Sequence, residues 1–133
     1  MDNKEKKFEL EDRTKQFAVQ LIQFIYKQDR NVINNILFTQ LLKSGTSIGA
    51  NYREANRAES KRDFIHKIGI VQKEASETQY WLEVLFESNI LRSEGIDVLL
   101  DEATQLLAIF TAIGKTTKKN STFILSAFLN SKF

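Results

Sequence analysis

Apolar side chains recur along most of the chain at intervals of three and four residues, which is the spacing of one face of an α-helix. Four such stripes predict four helices, over about 11–28, 32–57, 61–88 and 93–120. The positions that form the stripes are Phe17, Leu21, Phe24 and Ile25; Ile33, Leu37, Leu41, Ser44, Ile48, Tyr52 and Ala55; Phe64, Ile68, Val71, Ala75, Thr78, Leu82 and Leu85; and Ile96, Leu99, Ala103, Leu106, Phe110 and Ile113. Short polar stretches separate them. The pattern therefore predicts an all-α protein, an antiparallel up-down-up-down four-helix bundle.

The middle of the second helix is the weakest helix former in the chain. Residues 44–50 contain two glycines, each of which costs about 1 kcal/mol against alanine in a helix. This favours a break, but the apolar spacing keeps its phase across the stretch, so we expect a continuous helix. Small residues then share one face, where a neighbouring backbone can approach closely. We predict that this face is an oligomer interface formed by Ser44, Gly45, Ser47 and Gly49.

The last thirteen residues differ from the rest, so we divide the chain into a bundle over 1–120 and an apolar tail over 121–133. The tail has no acidic residue and six large apolar ones, namely Phe123, Ile124, Leu125, Phe128, Leu129 and Phe133. Such a segment left in water would promote aggregation. Two alternatives remain open: the tail docks on its own bundle, or it packs on another subunit.

Composition excludes most kinds of reactive site. The chain has no cysteine, which excludes disulfides, thiolate metal ligands and cysteine nucleophiles. Its one histidine, His66, is too few for a di-metal bundle, which uses two Glu-x-x-His motifs. We therefore predict no catalytic residue, no cofactor and no metal, and a protein that is not an enzyme. The charged N-terminus lacks the apolar core of a signal peptide, and no apolar run approaches about 20 residues, so we expect a cytoplasmic protein.

Charge is unevenly distributed, although the net charge is only +2. Residues 43–73 carry +4, residues 74–102 carry −7 and residues 103–133 carry +4. In an up-down bundle the junction of the second and third helices lies at one end, which we call the basic pole: Arg53, Arg57, Lys61, Arg62 and Lys67. Clustered cations of this kind are typical of nucleic-acid binding. The alternative is a set of solvated surface charges.

Several stretches of the chain match the signature of one family. They are LKSGTSIGANYREA (42–55), SKRDFIHKI (60–68), KEASET (73–78) and YWL (80–82). These residues resemble the 23S rRNA-intervening-sequence proteins, also called four helix bundle proteins. The likeness is close over residues 41–86 and extends in layout over about 17–117.

The resemblance implies a small bacterial bundle of a kind sometimes encoded within sequences that interrupt large-subunit ribosomal RNA genes. It also relates the chain to the accessory bundles that work beside the reverse transcriptases of diversity-generating retroelements. Members resemble ring-like homopentamers, and the family provides no catalytic residues.

Taken together, these features favour an oligomeric accessory protein that binds RNA or DNA through the basic pole. Five subunits is the expectation that the resemblance gives, and neither a membrane nor a small-molecule substrate is expected. The alternative is a purely structural or protein–protein interaction oligomer without a role in nucleic-acid binding.

Overall fold

The computed structural model describes residues 2–91 and 94–131, with side chains as far as residue 120. It contains four helices, α1 (Asn3–Tyr26), α2 (Val32–Ala55), α3 (Lys61–Ser88) and α4 (Ile96–Ser131). Strands are absent from the described residues, so the prediction of an all-α four-helix bundle is confirmed. Within the same residues, no helix is both long enough and apolar enough to cross a membrane.

The first helix begins earlier than predicted because its N-terminus is capped twice. The Asp2 carboxylate accepts a hydrogen bond from the Glu5 backbone N–H at 2.7 Å, and the Glu5 carboxylate accepts one from the Asp2 N–H at 3.3 Å. This reciprocal arrangement is a capping box. Its sequence signal, an aspartate followed three residues later by a glutamate, precedes the apolar stripe that predicts a helix from about residue 11.

The second helix runs unbroken through residues 44–50, as the phase of its apolar residues predicted. Hydroxyl groups in this stretch donate to carbonyl oxygens one turn back, with Thr46 Oγ1 lying 2.6 Å from the Leu42 oxygen. These bonds satisfy side chains that would otherwise compete for the backbone. The glycines therefore lie inside a regular helix rather than at a bend.

The core follows the predicted stripes closely in α3 and α4. Every predicted position from Ile68 to Leu85 and from Leu99 to Phe110 is buried. At the start of α2 the prediction is wrong, since Ile33 is 61% exposed and Phe38, which was not predicted, is buried. Asn34 takes the inward position there and donates from Nδ2 to the Asp29 carbonyl at 2.9 Å, which closes the α1–α2 turn.

Side-chain contacts fix how α3 and α4 lie against each other. Gln79 Nε2 donates to Thr104 Oγ1 at 3.0 Å, and Gln72 Nε2 donates to the Phe110 carbonyl at 3.1 Å. Residue numbers thus fall along α3 as they rise along α4. The first turn of α3 consequently lies beside the C-terminal part of α4.

The fourth helix continues to Ser131, so the predicted end of the bundle at residue 120 falls within a helix. Lysines at 115–119 suited a helix C-terminus, but no glycine or proline follows them before residue 131 to stop the helix. Apolar residues at helical spacing also continue through Phe128. Whether the tail side chains pack on this bundle or on another subunit lies outside the described residues.

Candidate nucleic-acid interface

Four of the five predicted cations lie together where α2 ends and α3 begins. Arg53 is in the last turn of α2, Arg57 is in the connection, and Lys61 and Arg62 are the first two residues of α3. All four side chains are exposed, and none forms an ion pair with a carboxylate of the described residues. Their charges therefore act on solvent and on any ligand at this end of the bundle.

Lys67, the fifth predicted cation, is differently placed. Its Nζ atom lies 3.6 Å from Oε2 of Glu54, and its side chain is only 29% exposed. An ion pair at the surface contributes little to stability, but it offsets the charge that Lys67 would offer to an anion. Glu59 and Asp63 also lie in this region and reduce its net charge.

Helix geometry adds to the positive potential at the start of α3. Ser60 caps this helix, and its hydroxyl accepts a hydrogen bond from the Asp63 backbone N–H at 3.0 Å. A helix N-terminus carries a partial positive charge, so cations in the first turn cost about 0.3–1 kcal/mol each. Lys61 and Arg62 both lie in the first turn of α3, where a positive charge is unfavourable. A bound phosphate would relieve the repulsion, because it is attracted by the same backbone groups.

Tyr52, which precedes Arg53 in the sequence, is not available for stacking. Tyr52 is 3% exposed, and its ring meets the edge of Phe110 with 5.0 Å between ring centres. Burial raises the pKa of Tyr52, while the neighbouring Asn56 amide lowers it. The contact between them falls short of a hydrogen bond, since both side-chain amide atoms of Asn56 lack a partner in the described structure. The prediction that Tyr52 is packed is confirmed.

A shallow cleft extends the basic pole toward α1. The residues that line it include Ser60 and Lys61 at the start of α3, Lys7 of α1, and Thr117 and Asn120 of α4. Its volume is about 620 Å³. Lys7 is exposed, so a strand that follows this cleft meets cations from two separate helices.

The acidic part of the chain contains one carboxyl group with a perturbed pKa. Burial raises the pKa of Glu74 above its ordinary value of 4.5, and the Glu77 carboxylate adds to the shift. The folded state thus binds this proton more tightly than the unfolded chain does. The resulting stability is present below about pH 4.5 and is lost as pH rises through the folded pKa.

Replacing Glu74 with Gln is therefore expected to raise the free energy of unfolding at pH 7 by about 0.5 kcal/mol, because the desolvated charge is removed. The difference from wild type should disappear as pH falls below the ordinary glutamate value. Urea unfolding from pH 3.5 to pH 7.5 measures it. The exposed Glu83→Gln variant controls for the loss of one carboxylate, and a Glu74→Gln effect that is independent of pH would contradict the assignment.

The small residues predicted to form an oligomer interface lie largely inside the bundle. Ser44 and Gly45 are buried, and a Cβ atom added to Gly45 would lie 2.3 Å from Cδ2 of Leu21 in α1. At Gly49 an added Cβ would lie 3.0 Å from the Thr14 hydroxyl oxygen. The small residues of α2 thus allow the close approach of α1 of the same chain. Ser47, which is half-buried, keeps its predicted role as an expectation.

A cross-bundle ion pair was not anticipated from the sequence. Arg13 Nε and Nη2 donate to the two carboxylate oxygens of Glu102 at 2.9 and 2.6 Å, and this interaction raises the pKa of Arg13. Periodicity cannot reveal a contact between residues 89 positions apart. Among the described residues, no group of three or more histidine or acidic side chains could hold a metal ion.

Comparisons with known proteins place this geometry in a family. The chain matches a family model described as 23S rRNA-intervening sequence protein over residues 6–112. It is also similar to the crystal structure of a protein of unknown function from the S23 ribosomal protein family of Bacteroides thetaiotaomicron. Sequence identity is 35%, the TM-score is 0.71, and the likeness covers 83% of this chain and 98% of the other. No curated protein is significantly similar to the chain.

Proposed function

Because the chain belongs to the 23S rRNA-intervening sequence protein family, we propose that it is a non-enzymatic, cytoplasmic homo-oligomer that binds RNA through the basic pole. One observation carries the proposal: Arg53, Arg57, Lys61 and Arg62 are exposed together and form no ion pair within the described structure. The description of the family names an intervening sequence of ribosomal RNA, which favours RNA over DNA as the first ligand to test.

The chemistry of the surface defines the kind of binding. Phosphate neutralisation by lysine and arginine dominates affinity for nucleic acid and is largely independent of sequence. Tyr52 is buried, so it cannot stack on a base. Binding should thus tolerate any sequence, with a dissociation constant of about 10⁻⁴–10⁻⁶ M per site at physiological salt.

Replacing Arg57, Lys61 and Arg62 with Gln tests the site. For single-stranded RNA the slope of log affinity against log salt is about −0.7 for each phosphate contact. The triple variant should therefore bind more weakly, with a slope shallower by about 2. Fluorescence anisotropy with an unstructured RNA, over a series of salt concentrations, measures both quantities.

The matched control removes the same charge elsewhere, with the exposed residues Lys27, Arg30 and Lys43 replaced by Gln. Both triple variants should melt close to wild type, since exposed substitutions usually change stability by no more than about 0.5 kcal/mol. Equal slopes for the wild type and the basic-pole variant would exclude this site. Absence of RNA binding by the wild type at low salt would favour the protein-interaction function.

Assembly is the second part of the proposal, with five subunits as the first number to test. It is supported by the surface, which exposes large apolar side chains such as Tyr26 (80%), Val32 (76%) and Val98 (64%). The same observation favours the alternative, an oligomer whose only role is structural. Salt-dependent RNA binding separates the two functions, because only an RNA-binding protein shows it.

A further inference from the structure

Large apolar side chains on the described surface are concentrated at the end of the bundle opposite the basic pole. The residues concerned come from the end of α1, the first two turns of α2, the end of α3 and the start of α4. We call this surface the apolar end: Tyr26, Val32, Ile33, Ile36, Phe86, Ile90 and Val98. Single exposed apolar residues are normal on a protein surface, but a concentration of them marks an interaction site.

A cleft within the apolar end is lined by both apolar and acidic side chains. The apolar side chains are those of Phe86, Ile96 and Val98, and the acidic ones are those of Glu94 and Asp97. Its volume is about 690 Å³. Among the described residues that line the cleft, none is basic. The partner that suits such a surface is an apolar helical segment that carries positive charge and no carboxylates.

The C-terminal part of α4 has this chemistry, and it extends past its neighbours. Gln72 lies beside Phe110, and α3 begins at Lys61, eleven residues earlier. At the same rise per residue in both helices, α4 passes the start of α3 near residue 121. The remaining residues up to Ser131 extend about 15 Å further.

The sequence of this extension, residues 121–131, complements the cleft. It contains five large apolar residues and no charge of its own, and the segment before it carries three lysines and no carboxylate, Lys115, Lys118 and Lys119. By helical position, Ile124 and Phe128 continue the stripe of Phe110, which is buried in the bundle. The apolar stripe that includes Phe110 thus continues along α4 beyond the point where α3 begins.

We propose that the extension of α4 in one copy docks in the cleft at the apolar end of a second copy. This rests on the proposed assembly and assigns its contact. The two surfaces lie at opposite ends of the bundle, so the contact is head-to-tail, and a pair of copies joined by one contact retains one free donor and one free acceptor. Repeated contacts of this kind close into a ring when the rotation between copies allows it and otherwise form a filament.

Two variants remove one side of the contact each. Deletion of residues 121–133 removes the donor, and Val98→Lys puts a charge into the acceptor cleft at a position that is already 64% exposed. Light scattering coupled to size exclusion should give a multiple of 15.4 kDa for the wild type and a monomer for each variant. Val19→Lys is the matched control, since Val19 lies on α1 outside the apolar end and is 40% exposed, and this variant should keep the wild-type mass.

Mixing the two variants gives the decisive result. The deletion variant still has the acceptor cleft and Val98→Lys still has the donor helix, so an equimolar mixture should form a one-to-one complex that grows no further. An oligomeric wild type whose mass neither variant changes would overturn the docking and leave the assembly standing. A monomeric wild type would overturn both, while RNA binding is decided separately by its salt slope. A deletion that lowers the melting temperature without changing the mass would show that the extension packs on its own bundle.

Discussion

Replacing Phe110 with alanine is expected to lower the free energy of unfolding by about 3–5 kcal/mol, the usual cost of removing a buried phenylalanine. Phe110 is fully buried at the centre of α4, and its ring supports Tyr52 through an edge-to-face contact. Its backbone carbonyl also accepts a hydrogen bond from the Gln72 amide of α3, so Phe110 lies where α2, α3 and α4 meet. Removal of its ring leaves a cavity there. Urea unfolding followed by circular dichroism gives the value.

The matched control is Phe8→Ala. Phe8 is 72% exposed near the start of α1, so the same truncation there should change stability by no more than about 0.5 kcal/mol. Similar losses for the two variants would mean that the hydrophobic stripe of α4 does not face the core. That outcome would also contradict the packing of Tyr52 against Phe110, which keeps Tyr52 buried.

The core was predictable in α3 and α4 because their apolar residues keep to one face of each helix. Errors occurred where another interaction overrides the phase. At the start of α2, Ile33 fits the stripe, yet the chain has just left a turn whose closure requires Asn34 to face inward. A helix whose first turn is set by a polar cap need not follow the apolar pattern that begins further along.

The basic pole was predictable for a simpler reason. Arg57, Lys61 and Arg62 are close in sequence around a single turn, so any two helices joined by this short connection bring them together. Lys67 shows the limit of that reasoning, since its pairing with Glu54 depends on how α2 and α3 pack. The Arg13–Glu102 pair depends entirely on such packing and has no signal in the local sequence.

The small-residue face of α2 shows why sequence alone could not distinguish contacts within a chain from contacts between chains. Small side chains indicate that some backbone comes close, but they do not say which one. Thr14 and Leu21 of α1 occupy that place within the same chain. The close approach at Gly45, which is buried, is to α1 of the same chain.

Gly45→Leu tests this assignment directly and should lower the free energy of unfolding by roughly 3 kcal/mol. A Cβ atom at this position would lie 2.3 Å from Leu21 Cδ2 and 3.7 Å from Phe17 and Thr78, and Leu21 is fully buried in a packed core. The added side chain must displace α1 from α2 or push Leu21 out of its place. Removal of a glycine from a helix recovers only about 1 kcal/mol of this cost.

Gly69→Leu provides the matched control, because an added Cβ there meets no atom within 4 Å. The same substitution at this exposed site on α3 should therefore stabilise the protein by about 0.8 kcal/mol through helix propensity alone. Thermal unfolding at low protein concentration, combined with light scattering, measures stability and mass together. If Gly45 instead faced a second copy, Gly45→Leu would dissociate the oligomer and leave the stability of the monomer unchanged. A loss of stability that does not depend on protein concentration places Gly45 against α1 of its own chain, and assembly must then use the outer surfaces of the bundle.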